Sequence, residues 1–241
     1  MTGEPAGVQY SVSTLRPAVP QPSSPERAAL VGQVAARVLA LGSGRLRVGI
    51  DGRTAAGKTS FGHELAQHLS AAGRPVLRAG LDDFKQPWRH RHRYDRESGE
   101  GYYRNAYDYD AVQRLLLQPC TDEGSGEVVL CSIDPLTQLD HTDVLSTAAP
   151  DAVLVVDGVF AFRPEIDRWW DFRIWLDVSS SASIERGTVR DEYWAGAESE
   201  ALHRDRYGVA EEIYLAAVHP ERRADVVIDN SDFARPRIVR G

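Results

Sequence analysis

The chain has 241 residues, which suits one α/β domain with room for a lid or a small insertion. Hydrophobic residues make up 42% and aromatics 8%, as in ordinary globular proteins, and no run approaches the ~18 apolar residues of a membrane span. The formal net charge of −7 provides no global basic field, so neither a membrane nor nucleic acid is an expected partner.

Residues 1–24 are rich in Pro, Ser and Thr and lack apolar periodicity, so they read as a flexible or loosely docked arm. They also lack a basic start followed by an apolar block, so no secretory leader is expected and the protein is placed in the cytoplasm. Cys120 and Cys131 have no CxxC spacing or neighbouring His cluster; they read as reduced, buried thiols rather than a zinc site. Ser24-Pro25 is a helix start, and Val31, Val34, Ala35 and Val38 follow at helical spacing up to Gly42.

Leu46–Ile50 reads as a short strand, and Phe61, Leu65 and Leu69 mark a helix that ends near Gly73. Between them, Gly52-Arg53-Thr54-Ala55-Ala56-Gly57-Lys58-Thr59 satisfies G-x-x-x-x-G-K-[ST] at every required position, with Ser60 just beyond. The strand before and helix after are the context a phosphate-binding P-loop requires. Its glycines let successive N–H groups point inward at phosphate oxygens, and the helix N-terminus adds positive potential. Lys58 is then expected on the β- and γ-phosphates of ATP and the Thr59 hydroxyl on Mg²⁺. No asparagine precedes a lysine, so the Asn-Lys-x-Asp reader of guanine is missing and ATP is the expected donor.

Pro75–Leu81 is the next strand and runs into Asp82-Asp83-Phe84. A carboxylate at the carboxyl end of a parallel strand stands where ligands bind, and can take the proton of an acceptor hydroxyl. A polar Arg/His stretch follows, Trp88-Arg89-His90-Arg91-His92-Arg93-Tyr94, which could receive an anionic acceptor, stack on a base, or remain a solvated loop. A helix is expected near Tyr107–Leu117, and Glu127–Ile133 alternates like a strand. Val153–Val156 is a continuous apolar run typical of a central parallel strand. Asp157 ends it, in the place of a second magnesium-site acid. Phe172–Val178 and Asp225–Ile228 complete the strands, with helices at about 180–195 and 203–218. Alternation of strands and helices predicts a doubly wound parallel sheet.

The basic residues are chosen unevenly. Of 28 Lys plus Arg, only Lys58 and Lys85 are lysine. A chain that otherwise writes arginine is expected to hold lysine where a compact ammonium suits a phosphate cradle better than a planar fork does.

With IDGRTAAGKT at 50–59, LDDF at 81–84, NAYD at 105–108, VVDGVFAF at 155–162 and ADVVIDN at 224–230, the chain resembles the uridine kinase and phosphoribulokinase-like branch of P-loop kinases. The resemblance implies a five-stranded parallel sheet with a helical lid over about 180–207 and an acceptor-side insertion over about 85–145, all within one domain spanning 25–241. It implies Asp82 as the catalytic aspartate and puts Asp157 where many members have glutamate. Arg186 and Arg190-Asp191 resemble the lid helix that closes over the phosphates. Lys85 stands where the family commonly has tyrosine, and Tyr102-Tyr103-Arg104 replace its Asp-His-Pro. Ile133-Asp134-Pro135 replace a Tyr-Asp-Phe. Asp82, Lys85, Tyr102, Arg104 and Tyr107 are therefore the candidate acceptor-binding residues, in a pocket rewritten relative to a nucleoside kinase.

The expected activity is transfer of the ATP γ-phosphoryl group to the hydroxyl of a small molecule, with an anionic acceptor one option. A nucleotide-dependent switch without a small acceptor is the alternative, an RNA-end kinase is disfavoured by the acidic charge, and homo-oligomerisation stays open.

Overall fold

The computed structural model describes residues 7–15, 24–90, 92–93 and 95–241, with the side chain of Trp194 left aside. Strand β1 is Val8–Tyr10, followed by helix α1 (Pro25–Leu39), β2 (Leu46–Gly52), α2 (Lys58–Ala71) and β3 (Val76–Gly80). Next come α3 (Gly99–Asn105), the short α4 (Tyr109–Ala111) continued by a π-helical stretch to Leu117, β4 (Glu127–Val129), β5 (Leu145–Thr147), β6 (Val153–Asp157) and β7 (Phe172–Asp177). The C-terminal part holds α5 (Ser180–Ala195), α6 (Ser199–Ala201), a second π-helical stretch over Leu202–Gly208, α7 (Val209–Val218), α8 (Pro220–Arg223), β8 (Val226–Asp229) and β9 (Arg237–Arg240).

The main sheet runs β1-β3-β6-β2-β7-β8-β9, parallel throughout except for β9, which lies antiparallel to β8. It thus has seven strands rather than the expected five. The two additions sit at its edges and are too short to declare themselves by periodicity. Val8–Tyr10 pairs with Val76–Arg78 through backbone hydrogen bonds that carry no side-chain signature, so part of the presumed arm is integral to the sheet. The other presumed-arm residues, 1–6 and 16–23, lie outside the described residues. Of the strand expected over Glu127–Ile133 only Glu127–Val129 forms, and it pairs with Leu145–Thr147 in a separate two-stranded ribbon.

β6 shows why a continuous apolar run marks a central strand. Val153 and Val155 enter a core with Val31, Val34, Phe61 and Leu65 of the α1–α2 layer. Leu154 and Val156 enter the opposite core with Phe160, Trp170 and Tyr214. Alternate residues face opposite layers, and both layers are buried. Helix α1 begins as predicted, the Ser24 hydroxyl accepting from the Arg27 amide at 3.0 Å with Pro25 in the first turn. The parallel register aligns Ile50 and Gly80 on either side of Asp157. The ends of β2, β3 and β6 therefore deliver the P-loop, Asp82 and Asp157 to one edge of the sheet.

Candidate active site

The P-loop leaves β2 at Gly52, whose φ is +153°, and a Cβ there would lie 2.5 Å from the Leu176 carbonyl. It enters α2 through Gly57 at φ +91°, where a Cβ would meet the Asn230 amide nitrogen at 2.8 Å. Both positions need glycine for backbone conformation and for space. Between them Ala55 adopts φ +55° and Ala56 is fully buried.

Lys58 turns its ammonium back into the loop and donates to the carbonyls of Gly52 at 3.0 Å and Arg53 at 2.7 Å. Burial pushes its pKa down, opposed by Asp51, Glu211 and Asp157. The Thr59 hydroxyl donates to Asp157 Oδ2 at 2.7 Å, and the Arg78 guanidinium grips the other carboxylate oxygen. A hydroxyl and a carboxylate side by side at a P-loop suit Mg²⁺, which takes one or two protein oxygens and completes its shell with phosphate and water.

One cavity of about 370 Å³ is lined by Thr54, Ala55 and Gly57–Ser60 from the loop and helix start, together with Asp82, Lys85, Asp157, Arg186 and Arg190. Tyr102, Tyr107 and Tyr207 line it from the acceptor side. Asp82 sits on this wall, bonded through Oδ1 to Lys85 Nζ at 2.9 Å and to the Tyr107 hydroxyl at 3.1 Å. Burial pushes the Asp82 carboxyl up, but the Lys85 ammonium and the Tyr107 hydroxyl more than offset this and leave it below the ordinary range. Arg186 is held to the carbonyls of Asn230 (3.2 Å) and Ser231 (2.5 Å), and Arg190 forms a bidentate pair with Asp191, both contacts at 2.8 Å.

Arg104 is not brought to the site. It lies on the exposed flank of α3 and pairs with Glu100 one turn away, because the same helix turns Tyr102 inward. In the Arg/His stretch, Trp88 is exposed and Arg89 faces Asp140 at 3.8 Å; Arg91 and Tyr94 lie outside the described residues. Cys120 and Cys131 are buried free thiols.

Sequence reasoning missed several residues that shape the loop. The fully buried Asp51 carboxylate accepts from the amides of Gly52 (2.7 Å) and Phe162 (3.1 Å) and from the Tyr214 hydroxyl (2.5 Å), yet burial raises its pKa to about 6. Glu211 of α7 accepts from the Thr54 amide at 2.6 Å and pairs with Arg53 at 3.2 Å. Asn230 donates to the Ala56 carbonyl at 2.6 Å and accepts from Arg27 at 3.0 Å, tying the loop to α1. Asp51 adjoins the motif and Asn230 ends ADVVIDN, so both could have been flagged as buried polar residues beside the loop. Glu211, about 150 residues away in sequence, left no such signal.

Asp83 provides a pH-dependent signature. It is buried, it accepts from the Ser11 hydroxyl at 2.8 Å, and burial raises its pKa to about 6 from 3.8. Between those values the folded state binds the proton more tightly than the unfolded state. The group's contribution to stability is therefore full below pH ~4 and lost as the pH rises through ~6. An always-neutral Asp83→Asn protein lacks this loss. The stability of wild type minus that of Asp83→Asn is expected to fall by up to about 3 kcal/mol from pH 4 to pH 7, measured by urea unfolding. His63, which burial and Arg78 push down to about 4, titrates with the opposite sign but alike in both proteins, so it cancels in the difference. A pH-independent difference would show that Asp83 does not carry the shift.

The profile of the Phosphoribulokinase / Uridine kinase family matches residues 47–233. Among solved structures, the chain is similar to one described as a possible uridine kinase from Bacillus stearothermophilus, with 26% identity, TM-score 0.60, and 82% of this chain and 96% of that chain covered. A candidate fructose transport system kinase from Silicibacter sp. aligns at 21% identity and TM-score 0.64, covering 79% and 94%. D-Glycerate 3-kinase from Cryptococcus neoformans aligns at 12% identity and TM-score 0.56, covering 87% and 97%. At those two lower identities the likeness is one of fold. Among curated proteins no relative is found by sequence. No helix among the described residues is long and apolar enough to cross a membrane.

Proposed function

This chain belongs to the phosphoribulokinase / uridine kinase family, and from that premise we propose that it transfers the γ-phosphoryl group of ATP to the hydroxyl of a small molecule. The observation that carries the proposal is the convergence of P-loop, Asp82, Asp157, Arg186 and Arg190 on one cavity. The loop amides and Lys58 would hold the triphosphate, while Thr59 and Asp157 would hold the magnesium. When bound, Mg²⁺ neutralises charge on the β- and γ-phosphate oxygens.

Asp82 accepts the proton of the acceptor hydroxyl. The hydroxyl oxygen forms a bond to the γ-phosphorus, the bond from that phosphorus to the bridging oxygen breaks, and ADP leaves with the electron pair. Lys85 and Tyr107 fix the Asp82 carboxylate, and Lys85, Arg186 and Arg190 face the charge of the phosphoryl group in transit. Tyr102 and Tyr107 form the acceptor-side wall, whereas Arg104 has no role in this scheme. A pyrimidine nucleoside is not the favoured acceptor, since Lys85 and Pro135 stand where the family commonly has aromatic residues.

The test is ADP release with Mg·ATP in the presence of sugars, sugar acids, nucleosides and vitamins, beginning with uridine, fructose and D-glycerate. Acceptor-dependent turnover accompanied by a phosphorylated product is expected. ADP release that ignores every acceptor but rises with a protein partner would overturn the kinase reading in favour of a switch.

A further inference from the structure

A second cavity, of about 220 Å³, lies on the far side of Asp82. Its floor is the end of β3, with Arg78 and Ala79, and the turn that follows it, with Asp83. One wall is α2, with Thr59 and His63, and the other is the N-terminal segment, with Tyr10, Ser11 and Leu15. It shares Thr59, Asp82 and Asp157 with the P-loop cleft, so the partition between the two cavities is made of the residues placed above at the site of transfer.

We infer that this cavity seats the non-reacting end of the acceptor, and that the acceptor is a compact, uncharged polyol whose reacting hydroxyl projects past Asp82 into the cleft.

Unsatisfied polar atoms are the first support. His63 is 7% exposed and, among the described residues, neither of its ring nitrogens has a hydrogen-bond partner; Arg78 Nε is likewise buried and unpartnered among them. Both side chains line the cavity, and a small rotation of the imidazole toward it would let a ligand's hydroxyls supply the missing partners. A neutral imidazole presents one donor and one acceptor, the pairing that hydroxyls satisfy and an alkyl group cannot.

Charge is the second. Among the described lining residues, three carboxylates, Asp82, Asp83 and Asp157, face one cation, Arg78, whose guanidinium is already paired with Asp157. This balance disfavours an anionic body, whereas the cleft, with Lys58, Lys85, Arg186 and Arg190, suits a triphosphate. Shape is the third. The Tyr10 ring, 5.4 Å from that of His63, together with Ala79 and Leu15, provides an apolar face for the C–H side of a sugar-like ring. A cavity of about 220 Å³ suits a small occupant. Finally, Tyr10, Ser11 and Leu15 lie outside residues 47–233, the range the family profile matches.

The inference rests on the kinase reading, and the experiment separates the two. The full chain is labelled with ¹⁵N in its histidine rings, saturated with Mg²⁺ and a non-hydrolysable ATP analogue, and titrated with D-ribose, D-fructose and D-glycerate. The His63 signals are identified by their loss in His63→Gln. A saturable shift of these signals is expected with an uncharged sugar and none with D-glycerate. Leu15→Trp, which fills the cavity from its partly exposed rim, is expected to abolish the shift while leaving the affinity for the ATP analogue unchanged. The same variant should raise the KM for the sugar by about tenfold or more. No shift with either sugar, a shift that persists in Leu15→Trp, or a shift with D-glycerate alone would overturn the inference. Saturable binding at His63 without Mg·ATP-dependent phosphorylation of the bound sugar would instead overturn the kinase reading and leave the cavity as a binding site.

Discussion

Lys58→Ala is expected to lower turnover by about 10³-fold or more and to weaken ATP binding. The ammonium lies inside the loop, donating to two of the loop's own carbonyls, so its charge is fixed at the mouth of the cradle before any phosphate arrives. Such preorganised charge in a water-poor site needs no reorganisation during transfer, which is why losing one donor at a developing anion costs ~10²–10³ on its own; losing a full charge costs more. Lys58→Arg is expected to rescue little. The guanidinium is a planar fork, and the space between the carbonyls of Gly52 and Arg53 receives a compact ammonium. The alanine variant leaves the buried Asp51 carboxylate and the Gly52 and Arg53 carbonyls without the ammonium and should melt below wild type, so turnover and ATP binding are compared at a temperature where its melting curve shows it folded. Wild-type turnover and ATP affinity in Lys58→Ala would refute the assignment of the loop.

What the sequence disclosed follows from the range over which each physical cause acts. The P-loop was legible because its constraints are local: Gly52 and Gly57 need positive φ and close approach, and both lie within eight residues of a strand end and a helix start. β6 was legible because burial on both faces writes an unbroken apolar run. The two lysines, singled out by their rarity, line the same cavity. Arg104 was misplaced because the motif gave its position along the chain but not the face of α3 on which it stands. β1 and β9 were missed because edge pairing uses backbone groups that every residue possesses. Glu211 and His63 were missed for a related reason. A carboxylate that meets the Thr54 amide, and an imidazole packed against Tyr10, acquire their meaning only from distant segments that folding brings together.

Asp82→Asn is expected to reduce phosphoryl transfer by about 10²–10⁴-fold while changing ATP affinity by no more than a few-fold. The carboxylate is partly exposed on the cleft wall and lies outside the P-loop, so its removal spares the donor's grip. Its pKa sits below the ordinary range because Lys85 and Tyr107 outweigh burial, so it is ionised at neutral pH and free to accept. A base of low pKa is weak, but a loose transition state places little demand on proton abstraction until the new bond is well advanced; alignment then contributes more than basicity. Asparagine retains the shape and the Tyr107 contact but accepts no proton and leaves the Lys85 ammonium, 2.9 Å away, without its counter-charge. That freed ammonium would still face the transferred phosphoryl group, so the residual activity of Asp82→Asn should fall further when Lys85→Met is added. If Asp82 and Lys85 acted independently, the two losses would multiply; because Lys85 also holds Asp82 in place, the double variant is expected to lose less than the product. Unaltered kcat in Asp82→Asn would remove Asp82 from the chemistry, and strict multiplicativity would remove Lys85 as the residue that positions it.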